Sequence, residues 1–96
     1  MEWKHVDGEN RGKINFFALS TCIWCRKTKA LLNRLGVDYY YIDVDLVTGD
    51  DVDKVRDEMG RWNPMLSFPT IIIDDDKVII GYREQELKEA LGYGDK

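Results

Sequence analysis

Hydrophobic and polar positions follow two different periods in the first third of the chain. Residues 14–19 are rich in strand-forming side chains and have polar residues on either side, which predicts a buried strand. In residues 23–35 the inward positions recur at i, i+3, i+4 and i+7, while lysines and arginines occupy the opposite face and Gly36 follows as a stop. This second pattern predicts a helix over residues 23–35.

The remaining patterns continue this alternation of strand and helix. The β-branched and aromatic residues 37–44 predict a second strand, which a crossover helix would place parallel to the first. A capping box formed by Thr48 and Asp51 predicts a helix that begins at Thr48 and ends at Gly60. The pattern then predicts a loop at 61–68, strands at 69–73 and 77–80, and a closing helix at 84–91.

We predict one α/β domain, residues 14–96, preceded by an N-terminal arm, residues 1–13. A chain of 96 residues is large enough for a single hydrophobic core and too short for two. The arm mixes charged residues and glycines with Trp3, so it is either frayed or a short extra edge strand packed through Trp3. We expect its start to be ordered and residues 7–13 to be mobile.

Charge narrows the choice of partners. The 14 basic and 18 acidic residues give a net charge of −4, without a polybasic cluster beyond one helix face, which argues against nucleic acid or an anionic membrane as a partner. The chain start has no apolar signal region, and no stretch is apolar for the length of a membrane span. We therefore expect a cytoplasmic protein and take a monomer as the default.

The two cysteines, Cys22 and Cys25, lie where the first strand gives way to the first helix. The first turn of a helix has unpaired N–H groups and the positive end of the helix dipole, and both favour a thiolate over a thiol. Cys22 is nearer the helix end and is assigned the nucleophilic attack. Cys25 lies one turn further on, should be more buried, and is assigned the resolution of a mixed disulfide. In a reducing compartment such a pair indicates redox catalysis and not a structural bridge.

Other uses of these cysteines remain open at this level. A zinc site needs four ligands, and besides carboxylates only His5 is available, so no metal site is predicted. Two chains could hold an iron–sulfur cluster through two thiolates each, or the fold could be a binding module with incidental thiols. Trp24, between the cysteines, favours contact with a partner over a place in the core.

The order of elements, the Cys-x-x-Cys helix and the Phe-Pro-Thr hairpin resemble the glutaredoxin branch of the thioredoxin-like superfamily over residues 14–92. The resemblance implies a four-stranded mixed sheet, in the order second, first, third, fourth, with helices on both faces. It implies that Pro69 is cis and packs beside the cysteine pair, where the backbone of Phe68 would bind an incoming disulfide. It also implies that Gly81, where the family has a Gly-Gly turn, allows a substrate to approach closely.

Three departures from the family pattern concern the electron donor. Cys-Ile-Trp-Cys replaces Cys-Pro-Tyr-Cys, Tyr82 replaces a second glycine, and Leu19-Ser20 offers no basic side chain before the motif. The chain is thus also similar to the glutaredoxin-like redoxins that a flavin or iron–sulfur reductase reduces and that serve ribonucleotide reductase.

The resemblance implies a dithiol oxidoreductase without a bound cofactor, which reduces disulfides of proteins or small molecules. Its electrons would come from glutathione or from a reductase. Its partner would be a disulfide-bearing protein, and the redoxin subgroup implies ribonucleotide reductase. The predicted substrate surface is Trp24, Phe68, Pro69, Gly81 and Tyr82.

Overall fold

Strands and helices alternate along the chain in the computed structural model, which describes residues 2–93. The elements are β1 (Lys4–Val6), β2 (Ile14–Ala18), α1 (Ile23–Leu35), β3 (Tyr39–Asp43), a 3-10 turn (Val44–Leu46), α2 (Asp51–Trp62), β4 (Thr70–Ile73), β5 (Lys77–Ile80) and α3 (Glu84–Ala90). The outer ends of the predicted arm and domain, residue 1 and residues 94–96, lie outside the described residues. None of the helices within residues 2–93 is long and apolar enough to cross a membrane.

A mixed sheet in the order β1-β3-β2-β4-β5 forms the centre of the fold. β3 runs parallel to β2, whereas β4 runs antiparallel to β2 and pairs with β5 as a hairpin. The α/β thioredoxin-like architecture expected from the sequence is therefore confirmed. The sheet has five strands where the resemblance implied four, because Lys4–Val6 pairs antiparallel with β3. Of the two alternatives for the arm, the structure thus has the short extra edge strand. The ring of Trp3 packs edge-on against Phe17, with 5.1 Å between the ring centroids.

Helices cover both faces of the sheet, as expected. Successive strand side chains point to opposite faces, so Phe16 and Phe17 enter two different apolar clusters. Leu31 of α1 and Leu87 of α3 pack on the Phe16 side. On the Phe17 side the sheet is covered by α2 through its buried residues, Val55 and Met59.

The predicted start of α2 at Thr48 is wrong. The helix begins at Asp51, three residues later, and its N-cap residue, Asp50, makes no side-chain capping hydrogen bond. Gly49 has φ +68°, which lies in the left-handed region and cannot belong to a right-handed helix. The chain therefore turns at Gly49 before the helix can start. The helix also runs through Gly60, its predicted end, and ends at Trp62.

The segment that follows β1 is tied to the turn after α1. The Glu9 amide donates to the Gly36 carbonyl at 2.8 Å, and the Asp38 amide donates to the Glu9 carbonyl at 2.9 Å. Gly8 lies so close to this turn that an added Cβ would be 2.6 Å from the Gly36 carbonyl oxygen. Gly8 and Glu9, which make these contacts, belong to residues 7–13, the stretch expected to be mobile.

Two glycine-to-alanine substitutions should change stability in opposite directions. Gly8→Ala forces a methyl group against the backbone of the α1–β3 turn and should lower the free energy of unfolding by about 1 to 3 kcal/mol. Gly60→Ala lies inside α2, where the new Cβ would be 3.7 Å from the nearest side chain, and should raise that free energy by about 0.5 to 1 kcal/mol. Urea unfolding of both variants measures the two changes. Equal effects of the same sign would contradict this packing of the arm.

Candidate active site

Strand pairing brings four chain segments together at one end of the central strands. Ala18 at the end of β2 lies opposite Asp43 at the end of β3. Because β4 is antiparallel to β2, its first residue, Thr70, lies beside Phe17, and on its other side it pairs with Ile80, the last residue of β5. The segments that follow β2, β3 and β5 therefore meet the segment that precedes β4. These segments contain the cysteines, Asp45, Pro69 and Gly81.

Cys22 is the N-cap residue of α1 and is partly exposed. Its backbone is extended, and its sulfur accepts a hydrogen bond from the Cys25 amide at 3.3 Å. No acidic residue lies in the first turn of α1 to offset the positive end of the helix dipole. Cys22 therefore presents an accessible sulfur that accepts a backbone N–H at the start of α1.

Cys25 is in a different environment, because its side chain is only 1% exposed. It belongs to the same apolar cluster as Leu31 and Leu32, one turn below Cys22. Burial, and secondly a hydrogen bond to Cys22, raise the pKa of the Cys25 thiol to about 12. The prediction that Cys25 is the more buried of the two sulfurs is thus confirmed, and this thiol keeps its proton at neutral pH.

The loop before β4 is held by a buried amide that the sequence analysis did not single out. Asn63 is 1% exposed, and its Nδ2 donates to the Ser67 carbonyl at 3.2 Å and to Thr70 Oγ1 at 2.9 Å. Its Oδ1 accepts from the Met65 amide at 3.1 Å. These bonds span the peptide between Phe68 and Pro69, which is cis, as the resemblance implied. An asparagine between a helix end and a proline was the available signal for this role.

The five residues of the predicted substrate surface line one shallow cleft. Trp24 is 51% exposed and stacks on Tyr82, with 5.8 Å between the ring centroids and 26° between the planes. The Gly81 amide donates to the Pro69 carbonyl at 2.8 Å, which joins the end of the hairpin to the Phe68–Pro69 loop. The structure therefore brings these residues together, and their role in binding substrate remains a proposal.

A second cavity, of about 320 Å³, lies on the other side of Phe68 and was not foreseen from the sequence. It lies among the segment after β2, the 3-10 turn, α2 and the loop before β4. Its lining consists of Leu19, Val44, Asp45, Val52, Arg56, Met59, Leu66 and Phe68. We call this cavity the apolar pocket.

Charge at the rim of the apolar pocket is fixed by Ser20. The amide and hydroxyl of Ser20 donate to the two carboxylate oxygens of Asp45, at 2.9 and 2.5 Å. These hydrogen bonds lower the pKa of Asp45, which is therefore ionised at neutral pH. The anionic Asp45 carboxylate is thus held against Ser20, which lies two residues before Cys22 in the sequence.

One group of possible metal ligands lies away from the strand ends that carry the cysteine pair. His5, Asp7 and Asp38 place one donor atom each within 4.8 Å of one another, beside the start of β3. His5 also stacks on Tyr40 and hydrogen-bonds Asp38, so contacts within the protein account for the closeness of these groups. Neither cysteine belongs to this group.

The fold and the cysteine pair define a protein of the thioredoxin-like class with a dithiol motif at the N-terminus of α1. The glutaredoxin family model matches residues 14–79. The chain is 49% identical to the glutaredoxin from Methanosarcina mazei Go1, with a TM-score of 0.86 over 94% of this chain and 87% of that one. It is 48% identical to Methanosarcina acetivorans methanoredoxin, with a TM-score of 0.85 over 88% of this chain and 90% of that one.

An uncharacterised glutaredoxin-like 8.6 kDa protein in a rubredoxin operon of Clostridium pasteurianum is 32% identical over 78 residues, which are 81% of this chain and 96% of the relative. The chain therefore belongs to the glutaredoxin family. Membership and the Cys22–Cys25 pair support thiol–disulfide oxidoreductase activity in general.

Burial of Cys25 predicts a loss of stability at high pH. With a thiol pKa of 9.0 in the unfolded chain and about 12 in the fold, the unfolded state binds fewer protons between these values, so stability falls as pH rises. The slope from this thiol reaches at most about 1.4 kcal/mol per pH unit. We expect Cys25→Ser to remove this slope in urea unfolding between about pH 9 and 11 under reducing conditions.

A second buried group, Tyr39, provides the control for this measurement. Burial raises the pKa of Tyr39 to about 12 from 10.0, so it contributes above pH 10, and Tyr39→Phe should remove only that later part. Parallel stability curves for the wild type and Cys25→Ser would contradict the assignment.

Proposed function

We propose that this chain is a dithiol oxidoreductase that reduces disulfides of proteins or small molecules, with Cys22 as the nucleophile and Cys25 as the resolving thiol. The observation that carries the proposal is the unequal placement of the two sulfurs. Cys22 is partly exposed at the N-cap of α1, whereas Cys25 is 1% exposed behind it. An entering disulfide can therefore reach Cys22 first.

The chemistry proceeds in two exchanges. The Cys22 thiolate attacks one sulfur of the substrate disulfide, forms a mixed disulfide and releases the other sulfur as a thiolate, which takes a proton from solvent. Cys25 then attacks the Cys22 sulfur, the bond to the substrate breaks, and the Cys25 proton passes to the departing sulfur. The substrate gains two electrons and two protons, and the Cys22–Cys25 disulfide formed must be reduced by a donor.

The alternative of an iron–sulfur cluster shared between two chains needs both thiolates to face the partner. The burial of Cys25 and its pKa of about 12 argue against this use, because the buried sulfur would have to become exposed and ionised. An anaerobic reconstitution that yields a dimer with visible absorption would support the alternative.

Serine variants of the two cysteines test the assignment of roles. Cys25→Ser should retain the attack and accumulate a mixed disulfide with the substrate, because no thiol remains to resolve it. Cys22→Ser should abolish turnover and trap nothing, since the remaining thiol is buried. Insulin reduction gives the turnover, and intact-protein mass spectrometry detects the trapped adduct. Equal residual activity of the two variants, or an adduct on Cys22→Ser alone, would refute the assignment.

We also propose that a reductase or a protein dithiol, and not glutathione, supplies the electrons. Glutathione carries two carboxylates, whereas the segment before Cys22 offers Leu19 and Ser20 in place of a basic side chain. The ionised carboxylate of Asp45, held by Ser20, adds a negative charge beside this segment. Arg56, which lines the same cavity, has the opposite charge, so the missing basic side chain before Cys22 is the main feature that disfavours an anionic donor on this side.

Parallel assays with two donor systems test the electron source. Reduction of a small disulfide should be sustained by a flavin thioredoxin reductase or a chemical dithiol, and much less by glutathione with its reductase. Asp45→Asn removes the charge while keeping an acceptor for Ser20, and should raise the glutathione-dependent rate. Glutathione turnover as fast as that with the reductase, or no gain in Asp45→Asn, would contradict this choice of donor.

A further inference from the structure

The apolar pocket is joined to the cysteine pair through its own lining. Leu19 lines the pocket, its amide donates to the Cys25 sulfur at 3.5 Å, and its carbonyl accepts from the Cys22 amide at 3.2 Å. Phe68 lines both the pocket and the cleft that contains Trp24 and Tyr82. A chain bound across Phe68 with its sulfur at Cys22 would therefore have the pocket on one side and the aromatic cleft on the other.

The chemistry of the pocket suits a neutral, apolar side chain. Six of its eight lining residues are hydrophobic, and the two others, Asp45 and Arg56, have opposite charges. The Asp45 carboxylate is occupied by Ser20, so it does not need a ligand to satisfy it. A carboxylate from a ligand would meet Asp45 as well as Arg56. The free energy of binding in this pocket is thus more favourable for a hydrophobic side chain than for an ion.

The size of the pocket agrees with one large side chain. Its volume of about 320 Å³ is large enough for the side chain of a leucine, a methionine or a phenylalanine. Val52 stands at the wall from α2 and remains 36% exposed, so part of the apolar surface is uncovered in the free protein. An entering side chain would cover this surface.

We propose that the apolar pocket selects disulfide-bearing polypeptides in which a large hydrophobic residue neighbours the reacting cysteine. The inference rests on the proposed function, since it assigns the substrate class of the same site. The hydrophobic side chain enters the pocket while the cysteine sulfur meets Cys22, and this contact directs the first exchange. The preferred substrates are therefore extended protein segments, and small hydrophilic disulfides gain nothing from the pocket.

Short peptide disulfides test this preference without any electron donor. Three N-acetylated, C-amidated peptides, each a homodimer through its cysteine, carry leucine before the cysteine, leucine after it, or serine at both positions. Pre-reduced protein is mixed with excess peptide, and the release of peptide thiol gives a second-order rate constant. We expect one of the two leucine peptides to react about tenfold faster than the serine peptide.

Two exposed apolar positions provide the variant and its matched control. Val52→Asn places an amide in the pocket wall and should bring the leucine-to-serine rate ratio close to one. Ile80 is 37% exposed, against 36% for Val52, and does not line the pocket, so Ile80→Asn should keep the wild-type ratio. Because each ratio is measured within one protein, a general loss of activity or stability cancels.

The outcomes separate this inference from the proposed function. Equal rates for all three peptides with the wild type, or an unchanged ratio in Val52→Asn, would overturn the pocket assignment and leave the oxidoreductase chemistry in place. A loss of the ratio in both variants would also overturn it, because the effect would not come from the pocket. No reaction of the wild type with any disulfide would refute the proposed function itself.

Discussion

The hydrogen-bonded register of β2 with its two neighbours is the constraint on which the site depends. Parallel pairing with β3 brings the end of β2 beside the end of β3. Antiparallel pairing with β4 brings the end of β2 beside the start of β4. A shift of either pairing by one residue would turn the buried side chains to the wrong face and separate the Cys22 segment from Pro69. The core and the site are thus set by the same backbone ladder.

The helix that follows β2 makes two equal thiols unequal. Cys22, as the N-cap, meets solvent and the first N–H groups of α1, whereas Cys25, three residues later, faces the sheet among apolar side chains. The same 3.6-residue repeat that builds the helix thus places one sulfur for attack and the other for resolution. Burial is the main reason that Cys25 stays protonated. The difference between the two thiols therefore does not depend chiefly on another ionisable group.

Phe68 divides the surface around Cys22 into two unlike halves. On one side, Trp24 and Tyr82 form an exposed aromatic stack at the end of the hairpin. On the other, α2 and the 3-10 turn contribute to the apolar pocket, whose two charged lining residues, Asp45 and Arg56, have opposite signs. The buried amide of Asn63 holds the loop between them through three hydrogen bonds to Ser67 and Thr70. A substrate chain is thus met by different chemistry on its two sides.

Local patterns in the sequence determined most of the elements, because the periods of a strand and of an amphipathic helix are properties of neighbouring residues. They were sufficient for α1, for the hairpin and for the position of both cysteines, and the resemblance added the cis bond before Pro69. Only the tertiary structure decided what depends on distant residues or on backbone angles. The fifth strand exists because β1 meets the edge of β3, and α2 starts late because Gly49 takes a positive φ. The apolar pocket is built from four separated segments, so no local pattern could reveal it.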